Sequence, residues 1–200
     1  MNPLDVMVAR GVRAVLEEDL GRATYRRIEG EVRKTCGMSM LEATADFAKL
    51  DLVLRRFFGK HTTGVEARVF GRVLSAKDVD GEAGIVIREP AVAGVLLKSY
   101  GNPAKRAILD ALQSPQTLAW AIATAGLPKA STYNRVRDLL RDGLLVTSGH
   151  SQARDGRRVS AYVATLTGIT FESRADSLTV SARMPMDIAM RSYAFSSVVG

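Results

Sequence analysis

Within nine consecutive positions the sequence carries Lys129, Ser131, Thr132, Tyr133, Asn134, Arg135 and Arg137. Arg154, Arg157 and Arg158 follow in a polar stretch, GHSQARDGRR, at 149–158. An Asn amide can make two hydrogen bonds to adenine and an Arg guanidinium two to guanine, each pairing giving about 1–3 kcal/mol of discrimination. Arginines clustered beside such residues suit phosphates or the minor groove. Taken singly these residues have plain structural roles: Tyr133 could be core, and Arg135 or Arg137 could solvate a helix face. Charge tips the balance. The chain of 200 residues carries a net +7, and between residues 102 and 160 nine Lys and Arg stand against four Asp and Glu, a local excess of +5. Residues 1–101 carry only +2 and residues 161–200 none. A basic excess concentrated in under a third of a chain is the footprint of a polyanion-binding module.

Other chemistry is thinly represented. The two histidines, His61 and His150, have no sequence neighbour that would complete a nucleophile–base pair or a metal motif. Gly59-Lys60 lacks the upstream glycine of a phosphate-binding loop. The single cysteine, Cys36, excludes an internal disulfide and a Cys-rich zinc site. From Asp78, the acids Asp80, Glu82 and Glu89 fall at positions 3, 5 and 12 of a calcium loop, but Ala83 stands where that loop needs glycine. Neither enzyme chemistry nor a cofactor is expected. The longest apolar-or-Gly run, Ala91 to Leu97, is far short of the roughly 20 residues of a membrane helix. The chain reads as cytoplasmic, with no membrane partner.

The elements that would position the basic residues can be read from the pattern. Asn102-Pro103 is a capping side chain followed by proline at the first helical position, and Ile108, Leu109 and Leu112 mark a buried face. Thr117 can cap a second helix carrying Leu118, Ala121, Ile122 and Ala125, with Trp120 expected to pack on the adjoining domain. After the break Gly126-Leu127-Pro128, a third helix is expected from Ser131 to Asp142 with Val136, Leu139 and Leu140 inward. Two short helices about a Gly-containing turn are the helix-turn-helix signature. Leu144 to Val146 and Val159 to Leu166 read as strands flanking a basic loop, a wing. The expected fold is mostly α with a small β-sheet (α+β). It comprises a helical domain at 1–75, a connector at 76–101, a winged helix at 102–168, and a β-hairpin with tail at 169–200 that would extend the wing sheet. In the first domain Leu20-Gly21 reads as a helix stop, Gly37 as a C-terminal cap, and Ser39 with Glu42 as a capping box.

The stretches PKASTYNRVRDLLRDGLLV and YGNPAKRAILDALQ resemble winged-helix transcription regulators of the ArsR-like type, archaeal and bacterial. The resemblance covers about 65 residues. It implies double-stranded DNA as partner, a homodimer on two half-sites, and a nucleoid-associated place in the cytoplasm. Metal sensing is not implied, because the cysteine and histidine clusters of such sensors are missing. LEEDLG, CGMS, FAKLDLVLRRFFG and VEARVFGRVL resemble a small helical output domain of archaeal signalling proteins. That domain would supply dimerisation, a protein-partner surface or a signal input. The rival expectations are a winged helix serving as a protein–protein module in a transcription or chromatin assembly, and a sensor with a ligand pocket between the domains.

Overall fold

The computed structural model describes residues 1–152 and 157–199; the expected site residue Arg154 lies outside them. The described chain is 61% helical, with small antiparallel sheets. Helix α1 (Pro3–Cys36) starts on Asn2, whose side chain accepts from the Leu4 amide, and is broken at Gly21 (φ 72°, ψ 155°), where only glycine is unstrained. The expected stop at Leu20-Gly21 is thus a kink between two helical halves. Leu4, Val8, Val12, Val15 and Leu16 line the inner face of the first half; Tyr25, Ile28 and Val32 line that of the second. A reciprocal Ser39–Glu42 capping box opens α2 (Met40–Ala45), and α3 (Phe47–Phe58) and α4 (Thr62–Val73) complete the helical layer.

Asp80-Gly81 turns β1 (Leu74–Val79) into β2 (Glu82–Ile87). Three of the four calcium-loop acids make contacts of their own in the fold. Asp78 accepts from the Gly81 amide, Glu82 accepts from the Thr167 hydroxyl, and Glu89 caps the helix α5 (Pro90–Tyr100). Next come α6 (Pro103–Ala111), the two-residue strand β3 (Gln116–Thr117), α7 (Leu118–Ala125), α8 (Lys129–Arg141), β4 (Leu145–Gln152) and β5 (Arg158–Ala164). The chain ends in β6 (Gly168–Ser173), β7 (Leu178–Pro185) and the short helices α9 (Met186–Ala189) and α10 (Tyr193–Val199).

Among the described residues two antiparallel sheets result, ordered β1-β2-β7-β6 and β3-β5-β4. The hairpin β6–β7 forms as expected but does not extend the wing sheet: β7 pairs with β2, from Glu82 opposite Pro185 to Ile87 opposite Val180. The reason is apolar register. Ala83, Ile85 and Ile87 on β2 and Val180, Ala182 and Met184 on β7 are all buried, so pairing joins two inward faces into one. The expected connector is therefore half of a sheet, and the expected tail is the other half.

The C-terminal end is fixed as firmly. The buried Asp5 carboxylate of α1 accepts from Ser192 Oγ (2.7 Å) and from the Tyr193 and Ala194 amides (3.2 and 3.0 Å), capping α10. Tyr193 then packs its ring on Phe47 and Phe70. No helix among the described residues is long and apolar enough to cross a membrane.

Candidate nucleic-acid interface

Asn102 accepts from the Lys105 amide to start α6, and Thr117 accepts from the Trp120 amide to start α7, both as the sequence leads one to expect. Gly126 closes α7 in the left-handed region (φ 62°), and Pro128 turns the chain into α8. Helices α6, α7 and α8 share a small core of Ile108, Leu109, Leu112, Ala121, Val136 and Leu139. Gly143 (φ 73°) then ends the turn after α8 and delivers the chain to β4.

Helix α8 begins at Lys129, two residues before the expected start, so Ser131 is not its cap. Instead the Ser131 and Thr132 hydroxyls donate to the Pro128 carbonyl at 3.1 and 2.9 Å. Thr132 is fully buried and turned into the core with Val136 and Leu139, which removes it from any outward-facing set. Arg135 sits at the edge of that inner face, half-buried. Its Nη1 is enclosed with no hydrogen-bond partner among the described residues. The outward face of α8 carries Lys129, Tyr133, Asn134 and Arg137, all exposed, with Arg137 Nη2 donating to Asn134 Oδ1 at 3.2 Å. Arg141, one turn further on, is bound to Asp138 at 3.0 Å.

Strands β4 and β5 run further than the sequence pattern indicates. Pairing continues from Leu145 opposite Ala164 to Gln152 opposite Arg158, with a bulge between Thr147 and Gly149. Of what reads as the polar loop, residues 149–152 and Arg158 are thus strand. Residues 147–152 are exposed throughout, so no alternation marks them. Arg157, just before β5, and Arg158, its first residue, are exposed.

Between α7, α8 and this hairpin lies a groove of about 740 Å³, lined by Trp120 and Ala123, by Tyr133, and by Gln152, Val159 and Tyr162. Trp120 does not pack on the N-terminal helices: its side of α7 is open, and the residue is 42% exposed. The signal was in the sequence, since Leu118, Ala121, Ile122 and Ala125 fix an inward face that leaves Trp120 outside it. Arg158 pairs with the groove residue Gln152, and directly paired residues share a sheet face. The arrangement therefore sets Tyr133 of α8 opposite the hairpin face that carries Gln152, Arg158 and Tyr162, with Trp120 at the groove's α7 side. Among the described residues no group of three or more His, Cys, Asp or Glu is placed to hold a metal ion. No family model matches the chain, and neither a curated protein nor a solved structure matches it.

Proposed function

We propose that residues 102–166 form a winged helix-turn-helix and that the protein binds double-stranded DNA as a transcription regulator. In this reading α8 enters the major groove with Asn134 and Arg137 toward base edges, and Lys129 and Tyr133 flank them. Arg157 and Arg158 of the hairpin reach the backbone. The observation that carries it is the groove: Tyr133 of the exposed α8 face and Gln152 of the hairpin, which pairs with Arg158, line one concavity within the most basic third of the chain. Such a regulator works at the nucleoid, and a homodimer would place two α8 helices about one DNA turn apart.

Fluorescence anisotropy with a mixed-sequence duplex, titrated in salt, tests the reading. Binding should weaken steeply with salt, and Arg158→Ala should lower the slope of log K against log salt by about one. Asn134→Ala with Arg137→Ala should weaken binding further at a selected site, whereas Arg135→Ala should act mainly on stability. Absence of binding at low salt would sink the reading. The exposed Trp120 and Tyr133 favour one alternative, a protein partner docked on the same groove; a shallow salt slope would point there.

A further inference from the structure

A second cavity, of about 460 Å³, opens on the other side of α8, where α1 and α2 meet the α8–β4 turn. Its walls are apolar: Val6 and Ala9 of α1, Leu41 of α2, Leu140 of α8, and Leu145 and Val146 of β4. The volume lies within the range of about 300–1,000 Å³ usual for small-molecule sites. The charged side chains at its border are Arg10, Arg141 and Glu42. Glu42 is committed to the capping box, accepting from Ser39 N and Ser39 Oγ at 2.8 and 2.7 Å. The two arginines belong to a network of ion pairs along the rim. Arg10 and Arg141 both reach Asp142, and Arg141 and Lys105 both reach Asp138. Three cations thus meet Asp138 and Asp142, with Glu42 the third carboxylate at the border, so an incoming carboxylate takes the place of Asp142 on Arg10 and Arg141.

We propose that this cavity is an effector site for a small amphipathic carboxylate, its tail among the six apolar residues and its head on Arg10 and Arg141. A planar carboxylate suits the guanidinium fork and competes with Asp142 for it. Occupancy reaches α8 directly, because the cavity wall is the last turn of that helix. The regulatory part of the proposal rests on the DNA-binding reading; the binding part does not.

The test is isothermal titration of DNA-free, full-length protein with octanoate and with 3-phenylpropionate, using 1-octanol as the uncharged comparison. Saturable one-to-one binding of at least one carboxylate is expected, with octanol weaker by about tenfold or more. Leu41→Trp, which fills the cavity, should abolish binding, and Val146→Trp on the facing wall serves if the first variant does not fold. Arg10→Gln should weaken the carboxylate about tenfold and leave octanol unchanged. No saturable heat with either carboxylate up to about 1 mM, full affinity in a folded tryptophan variant, or equal binding of octanol and octanoate would each overturn the proposal. Anisotropy with and without the bound carboxylate then reads the coupling, expected as about a fivefold or larger change in DNA affinity. If the protein binds the carboxylate but no DNA, the DNA-binding reading fails and the site stands; an unchanged DNA affinity overturns the effector role.

Discussion

The Glu66 carboxyl of α4 is enclosed by two further elements: Asp51 and Arg55 face it from α3 and Tyr193 from α10. Tyr193 Oη donates to Glu66 Oε2 at 2.9 Å, while Glu66 Oε1 and Asp51 Oδ1 are buried without partners among the described residues. A proton on Glu66 satisfies both oxygens. Burial first, and the neighbouring Asp51 second, push Glu66 from its ordinary 4.5 up to about 7, against the opposing pull of the Tyr193 hydroxyl and Arg55. Between those two pH values the folded chain keeps a proton that the unfolded chain has released. The stabilisation is therefore whole below the ordinary value and is lost as pH rises through about 7. Glu66→Gln keeps an acceptor for Tyr193 and supplies a fixed donor toward Asp51. The variant should match wild type near pH 5 and melt at a higher temperature near pH 8, with a flatter Tm profile between. Parallel profiles would show that Glu66 does not carry this dependence. Nothing in the sequence marks the cluster, because Asp51, Glu66 and Tyr193 come together only when α3, α4 and α10 pack.

At the scale of elements, the contact that seats α8 against the N-terminal helices is a glycine. A Cβ on Gly143 would collide with the Pro3 carbonyl oxygen and lie 2.9 Å from Met7 N, both backbone atoms of α1, and φ is +73°. Neither the strain nor the clash can be relieved by a rotamer change. Gly143→Ala should cost about 1–3 kcal/mol, lowering Tm by roughly 3–10 °C and opening the α1–β4 seam to limited proteolysis. A Tm within a degree of wild type would mean that the seam yields freely. Sequence reading located this turn because Gly143 punctuates the helix, yet the touching partner, 140 residues earlier, left no trace in the pattern. The same boundary divides the rest. Caps on α2, α6 and α7 were legible because each is a bond between near neighbours. The start of α8 was not, because Pro128 caps it without a side-chain bond and the hydroxyls of Ser131 and Thr132 mimic a cap. For Thr132 the signal existed: it stands one turn before Val136 and so shares its buried face.

For the molecule as a whole, the DNA-binding candidate is an insertion. The four-stranded sheet takes β1 and β2 from before residues 102–166 and β7 and β6 from after them, so the body of the protein is discontinuous in sequence. Division at composition shifts cuts that body in two, since period and charge report neighbours along the chain and not the partner of a strand about 95 residues away. The physical consequence can be tested by excision. Gly101 and Thr167 border the same cavity beside α5 and β6, so a short Gly/Ser linker can join them in place of the insertion. The spliced protein should melt in one cooperative transition by circular dichroism, at a lower Tm because α1 has lost the α8–β4 turn, and should retain the pH dependence set by Glu66. A fragment of residues 1–101 should show no cooperative melt. Without β7, the strand β2 keeps only β1 beside it and exposes Ile85 and Ile87; without the C-terminal segment, the Asp5 carboxylate loses the Ser192, Tyr193 and Ala194 donors. If that fragment melts as sharply as the spliced protein, β2–β7 pairing and the α10 cap contribute little, and the N-terminal helices are a domain in their own right.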